Sequence, residues 1–145
     1  MYKNILVAVD GSEHGYQAAQ TAGTLTRALK TNREIITLWI VVVYEPLPAY
    51  LGQPYFQEAM TERLQQSEVI LQAARQKIGV IPGIIKTEVM EGPPAEAILS
   101  VAEARQVDLI VMGTRGLGRL TGLLIGSQSQ KVVAHATCPV LLVRQ

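Results

Sequence analysis

An apolar run leads directly into a glycine cluster at residues 109–119, LIVMGTRGLGR, and Gly126-Ser127 follows shortly after. A helix-like segment, residues 128–136, comes next. A glycine-rich turn between a buried strand and a helix is how α/β proteins bind phosphate, because convergent N–H groups and the helix dipole attract an anion. Glycine lacks a Cβ atom, so a ligand can approach the main chain closely. The stretch therefore predicts a nucleotide phosphate site in an α/β fold.

The rest of the chain repeats the alternation of strand and helix. Continuous apolar or β-branched runs predict strands at residues 5–9, 35–43, 84–90, 109–112 and 140–143. Apolar residues at helical spacing predict the intervening helices, including one over residues 56–78 with Leu64 among its apolar positions. Ser12 is a candidate N-cap for the first helix. Such alternation favours right-handed crossovers. The prediction is a single domain, residues 1–145, with a doubly wound, Rossmann-like five-stranded parallel sheet of order 3-2-1-4-5 and helices on both faces.

This strand order predicts where a ligand would bind. Ligands of doubly wound sheets lie beyond the carboxyl ends of the strands, at the point where the strand order reverses. That point falls between the first and fourth strands, where Asp10 ends one and Gly113 follows the other. Two segments about a hundred residues apart are therefore expected to line one crevice.

Composition excludes several classes of partner. The 145 residues carry 13 basic and 12 acidic side chains, which gives a net charge of +1. This balance provides no excess of positive charge for binding nucleic acid or an anionic membrane. The longest apolar run, residues 38–44, is too short to span a bilayer, and no signal-peptide pattern opens the chain. The single cysteine, Cys138, excludes an internal disulfide, so a cytoplasmic protein is expected.

Neither catalytic nor metal-binding sets are evident in the sequence. His14 and His135 have no Cys, Asp or His at metal-ligand spacing, and both are expected to be exposed helix residues. No Ser-His-Asp set or carboxylate pair is found, so no catalytic residue is predicted. The glycine cluster has P-loop spacing, but Arg119-Leu120 replaces the required Lys-Ser/Thr, and the Rossmann fingerprint is not completed either. By itself the cluster is also compatible with a flexible turn.

The whole pattern Gly113-x2-Gly116-x9-Gly126-Ser127 resembles the ATP-binding signature of the universal stress protein family. Residues 3–12, KNILVAVDGS, are similar to the family's first strand and turn. Residues 108–116, DLIVMGTRG, are similar to its fourth strand and loop, and residues 138–144, CPVLLVR, to its last strand. The resemblance covers the full chain and implies that the ligand is ATP, with or without Mg²⁺.

The resemblance also implies which residues hold the nucleotide. Asp10 would accept hydrogen bonds from the ribose hydroxyls, and Val41, at the end of the second strand, would offer its main chain to the adenine edge. Arg115 would add charge to the phosphate contacts. The complete expected set is Ala8, Val9, Asp10, Val41, Met112, Gly113, Arg115, Gly116, Gly126, Ser127, Gln128 and Ser129.

Purely structural interpretations of the same residues stay open. Ser127 and Gln130 have the spacing of a capping box, which needs no ligand, and Asp10 is also a plausible turn residue. Val41 could be ordinary strand core, and Arg115 could be a solvated loop arginine. Capping by Ser127 and phosphate binding would occupy the same electropositive place.

Two further expectations concern assembly and activity. The apolar last strand, Val140–Val143, lies at the sheet edge in the predicted order, which favours a homodimer that pairs this edge, and the resemblance implies the same. The function expected is an ATP-binding stress and signalling module with at most slow hydrolysis, because no base near an attacking water is evident. The alternatives are a nucleotide-free interaction module and an adenylate-forming-type enzyme. An enzyme of the second kind would carry a Ser-Gly-Gly-x-Asp-Ser loop after the first strand, and residues 10–13, DGSE, do not match it.

Overall fold

The computed structural model describes residues 2–29, 34–115 and 125–144 of the chain. The elements are β1 Asn4–Val9, α1 Glu13–Ala28, β2 Ile36–Tyr44, α2 Tyr55–Ile78, β3 Gly83–Glu91, α3 Pro94–Ala104, β4 Leu109–Gly113, α4 Ser127–His135 and β5 Val140–Val143. All five predicted strands are present, with ends that differ by one residue at most. Within the described ranges, no helix combines the length and the apolar character needed to cross a lipid bilayer.

The five parallel strands form one sheet of order β3-β2-β1-β4-β5, as predicted. The central strand β1 pairs with β2 on one side, Ala8 opposite Val41, and with β4 on the other, Ile5 opposite Leu109. One buried cluster packs α1 and α2 against one face of the sheet, and a second packs α3 and α4 against the other. Because β1 and β4 are covered on both faces, their sequences are continuous apolar runs.

Helix α2 packs on the core only through its second half. Its buried residues are Ser67, Leu71, Ala74 and Ile78, whereas Leu64 is 48% exposed although it follows the same helical spacing. Ile70 lies beside Gly11, just past the carboxyl end of β1. The preceding turns of α2 therefore extend beyond the sheet edge, where the sheet offers no surface to bury Leu64.

Close approach of α1 to β4 brings two site segments together. A Cβ atom at Gly113 would lie 2.8 Å from His14 Cβ and 3.0 Å from the His14 carbonyl oxygen, so only glycine allows this packing. His14 is consequently half-buried, and the expectation of an exposed histidine is wrong. Its Nδ1 atom is buried and has no hydrogen-bond partner among the described residues. The absence of a side chain at Gly113 thus allows α1 to pack closely against β4.

Candidate functional site

The carboxyl ends of β1, β2 and β4 open into a cavity of about 590 Å³. Eleven of the twelve predicted site residues line it, and the twelfth, Gly116, lies outside the described residues. The lining residues are Ala8, Val9, Asp10, Gly15, Val41, Val43, Glu45, Arg63, Pro94, Ile98, Met112, Gly113, Arg115, Gly126, Ser127, Gln128 and Ser129. The crevice predicted at the switch point is therefore present, and its volume suits a small organic ligand.

The turn after β1 fixes the Asp10 carboxylate at the cavity. Asp10 Oδ1 accepts hydrogen bonds from Ser12 N at 2.9 Å and from Ser12 Oγ at 2.5 Å. Ser12 Oγ in turn accepts from Gly15 N at 3.2 Å, which confirms Ser12 as the N-cap of α1. No group in the described part of the chain donates to Asp10 Oδ2. One carboxylate oxygen thus holds the turn, and the other is available to accept a hydrogen bond from a ligand.

The first turn of α4 has no side-chain cap of its own. Gly126 is the N-cap residue and Ser127 is already helical, so the predicted capping box at Ser127 and Gln130 is wrong. The Gly126 N–H donates a hydrogen bond to Thr114 O at 2.5 Å. The Gln130 side chain does not reach back to the N-cap N–H, because its Nε2 donates to Ile125 O at 3.0 Å. These contacts start the helix one residue earlier than predicted. Among the described residues, no group accepts a hydrogen bond from the first N–H groups of α4, and the residues of this turn line the cavity.

Two side chains of this turn anchor α4 to its neighbours. Ser129 Oγ donates to Gly113 O at 2.9 Å, and Ser129 is only 3% exposed. Gln128 Oε1 accepts from Ala95 N at 3.0 Å, which caps the N-terminus of α3, where Pro93 offers no capping side chain. Both contacts orient the first turn of α4, and both join residues that are distant in sequence. Spacing patterns therefore could not have revealed them.

Val41 has a different place from the one expected. The strand continues to Tyr44, and Val41 lies in mid-strand, opposite Ala8 on one side and Glu88 on the other. Its main-chain groups belong to the sheet ladder, so the expected main-chain contact with a base edge does not fit. The Val41 side chain, with Met112 and Ile98, instead forms the apolar floor of the cavity.

Charged side chains are distributed across the width of the cavity. Arg115 lies near the first turn of α4 and Asp10 lies at the centre, whereas Glu45 and Arg63 lie at the β2 end. Sequence reasoning missed Glu45 and Arg63, because their position depends on how far α2 extends beyond the sheet. No group of three or more His, Cys, Asp or Glu side chains converges in the described part of the chain.

Two tyrosines near the cavity have shifted pKa values. Burial raises the pKa of Tyr16, and the negative charges of Asp10 and Glu13 raise it further. Burial also raises the pKa of Tyr44, and Glu91 adds to this effect, whereas the positive charge of Arg63 lowers it. Both phenols thus stay protonated to higher pH than a solvated tyrosine, and Arg63 acts electrostatically at the end of β2.

Comparison with known proteins identifies the family. The model of the universal stress protein family matches residues 1–144. A relative from Thermus aquaticus, the universal stress protein in QAH/OAS sulfhydrylase 3'region, is 47% identical over 99% of this chain and 100% of its own length. Another from Methanocaldococcus jannaschii, universal stress protein MJ0531, is 34% identical over 100% of this chain and 84% of its own length.

Solved structures agree with this assignment. Universal stress protein UspA from Lactobacillus plantarum superposes with a TM-score of 0.82 at 26% identity, covering 99% of this chain and 98% of its own. A universal stress protein in complex with cAMP has a TM-score of 0.74 at 24% identity, covering 98% and 97%. One from Archaeoglobus fulgidus in complex with dAMP has a TM-score of 0.62 at 17% identity, covering 97% of both chains. The last two share the fold with this protein. The chain belongs to the universal stress protein family.

Proposed function

We propose that this protein binds ATP in the cavity and acts as a nucleotide-dependent stress and signalling module, with at most slow ATP hydrolysis. The observation that carries the proposal is the first turn of α4, which has no side-chain cap among the described residues and lines the same cavity as the Asp10 carboxylate. An uncapped helix N-terminus favours phosphate, and an acceptor-only carboxylate suits two hydroxyl donors.

The phosphates would lie at the β4 end of the cavity. The N–H groups of Ser127, Gln128 and Ser129 begin α4 there, and the guanidinium of Arg115 adds positive charge. Gly113 and Gly126 complete this end, and Gly116 is proposed as part of it from the sequence resemblance. The side chains of Gln128 and Ser129 are already bonded to protein groups, so their contribution to phosphate binding is assigned to the main chain.

The nucleoside would occupy the rest of the cavity. Asp10 Oδ2 is proposed to accept from the ribose hydroxyls, because Oδ1 is already held by Ser12. Ala8, Val9, Val41 and Met112 supply the surface against which the sugar and base pack. Two relatives of the same fold were solved with cAMP and dAMP, which supports an adenine nucleotide as the ligand class. Mg²⁺ would accompany the phosphates.

The described side chains at the cavity support slow turnover. Hydrolysis needs a positioned water, usually with a base beside it, and charge stabilisation of the transferred phosphoryl group. Asp10 is assigned to the ribose, and Glu45 lies at the β2 end, away from the first turn of α4. A bound nucleotide is therefore proposed to act by shifting the protein between conformations for which it has different affinity.

A homodimer and a cytoplasmic location are part of the proposal. Among the described strands, β5 is an edge strand that pairs with β4, and its Leu141 side chain is 36% exposed. Pairing with the same edge of a second copy would satisfy the outer ladder groups. Sedimentation velocity that gives twice the monomer mass would support this assembly, and a monomer at all concentrations would contradict it.

The nucleotide proposal is tested with the purified protein. Heat denaturation should release an adenine nucleotide that mass spectrometry identifies, and titration calorimetry of the nucleotide-free protein with ATP should show one saturable site. Phosphate release from ATP should be much slower than nucleotide exchange. If no nucleotide is released and millimolar ATP produces no binding heat, the proposed function is wrong.

A further inference from the structure

A half-buried arginine lines the cavity and has no hydrogen-bond or ion-pair partner in the described part of the chain. Arg63 lies on α2 and lines the cavity wall. Across residues 2–29, 34–115 and 125–144, its guanidinium forms neither a hydrogen bond nor an ion pair. A guanidinium carries five N–H donors, and arginine is seldom removed from water without a partner. The side chain is therefore available to a ligand.

The position of Arg63 along the sheet indicates which part of a ligand it would meet. The cavity crosses the carboxyl ends of β4, β1 and β2 in that order, a distance of about 10 Å at the usual strand spacing. The first turn of α4 lies at the β4 end, Asp10 lies at β1, and Arg63 lies with Val43 at the β2 end. A nucleotide with its phosphates at α4 and its ribose at Asp10 places its base at β2.

Arg63 and the apolar floor border this end of the cavity from opposite faces of the sheet. Arg63 comes from α2, which packs on the face that carries α1. Val41 and Ile98 belong to the buried cluster on the α3 face. A planar ligand that enters between them would have aliphatic carbon on one side and the guanidinium on the other.

Nearby charges disfavour a phosphate at the β2 end. The Glu45 carboxylate lines the same end of the cavity. An adjoining hollow of about 280 Å³, which shares Arg63, is lined also by Glu62, Leu47, Ala59 and Gln66. The two carboxylates outnumber the one guanidinium, so the local charge is unfavourable for an anion. A neutral aromatic base does not meet this repulsion.

We propose that Arg63 stacks its guanidinium on the base of the bound nucleotide and closes the cavity over it. This inference rests on the proposed function, because it requires a nucleotide in the cavity. A planar, weakly hydrated guanidinium stacks on aromatic faces and is attracted by their π electrons. Arg63 is therefore a ligand-binding residue for the base, in addition to the residues that the sequence predicts.

The test separates base contact from phosphate contact with two ligands. Titration calorimetry compares ATP with ribose 5-triphosphate, which keeps the sugar and phosphates but has no base. Arg63→Met retains much of the apolar stem and removes the guanidinium, whereas Arg63→Lys keeps the positive charge but has no planar group. As a control, Lys77→Met removes an exposed charge nearer the C-terminal end of the same helix. We expect Arg63→Met to weaken ATP binding about 3- to 30-fold, Arg63→Lys to recover part of this loss, and Lys77→Met to have no effect.

The second ligand decides where Arg63 acts. Ribose 5-triphosphate should bind wild type and Arg63→Met with affinities that agree within about twofold. An equal loss for both ligands would mean that Arg63 contacts phosphate, and unchanged ATP affinity would mean that it contacts nothing; either result overturns the inference. Failure of the wild-type protein to bind ATP would instead overturn the proposed function. Thermal unfolding of each variant establishes that it is folded.

Discussion

Replacement of Asp10 by asparagine tests the assignment of the ribose site. The structure gives the two oxygens of this carboxylate different tasks: Oδ1 holds Ser12, and Oδ2 has no donor among the described residues. An asparagine keeps an amide oxygen for Ser12 but replaces Oδ2 with an NH₂ group. We therefore expect Asp10→Asn to fold normally and to lose the acceptor for the ribose.

The expected loss follows from the strength of hydrogen bonds to a charged acceptor. Such a bond contributes about 1.5–3 kcal/mol, so ATP binding should weaken about 10- to 150-fold. Asp10→Ala should weaken binding by a similar factor and also destabilise the fold by about 1–3 kcal/mol, because Ser12 loses its acceptor. Titration calorimetry and thermal unfolding measure the two effects separately.

A ligand without ribose hydroxyls provides the matched control. Wild type and Asp10→Asn should bind 2′,3′-dideoxy-ATP with the same affinity, because neither can form the bonds in question. If Asp10→Asn binds ATP as well as wild type does, or loses the same factor for dideoxy-ATP, the carboxylate does not bind the ribose. If Asp10→Asn is as unstable as Asp10→Ala, the division of tasks between the two oxygens is wrong.

Three further predictions concern packing and protonation. Gly113→Ala should lower the free energy of unfolding by about 1–3 kcal/mol, because its methyl group would collide with His14; a urea unfolding midpoint equal to that of wild type would contradict this packing. Burial raises the pKa of Tyr44 and of Tyr16, so the folded protein keeps their protons where the unfolded chain loses them. Stability should therefore fall as pH rises above about 10, less steeply in Tyr44→Phe, and a midpoint that does not change between pH 9 and 11 would refute this. Burial, and next Asp108, raise the pKa of the Cys138 thiol, so iodoacetamide should modify it more slowly at pH 7.5 than it modifies free cysteine, and equal rates would speak against that environment.

Local sequence patterns predicted the fold, and the family resemblance predicted most of the residues of the cavity wall. The continuous apolar runs of β1 and β4 indicate central parallel strands, and the strand order was predicted on the assumption that β1 lies at the centre of a doubly wound sheet. Because that order brings Asp10 and Gly113 to one switch point, the cavity between them could be predicted without any contact information. Its presence in the structure confirms this part of the sequence argument.

The remaining site features depend on contacts between distant segments. Gln128 caps α3 across 33 residues of sequence, and Thr114 fixes the residue at which α4 begins. Arg63 reaches the cavity only because α2 extends past the sheet edge, and Val41 is held in the ladder because β2 continues to Tyr44. Periodicity describes one element at a time, so it cannot reveal which side chain of a neighbouring element completes a cap or a wall.

A crystal structure of the protein grown with ATP is the most direct test of the proposed site. We expect the phosphates within hydrogen-bond distance of the first N–H groups of α4, at Ser127 and Gln128, and a ribose hydroxyl at Asp10 Oδ2. The base should lie between Val41 and Arg63. Electron density that places the phosphates at the β2 end, or the nucleotide outside the cavity, would contradict the proposed mode of binding.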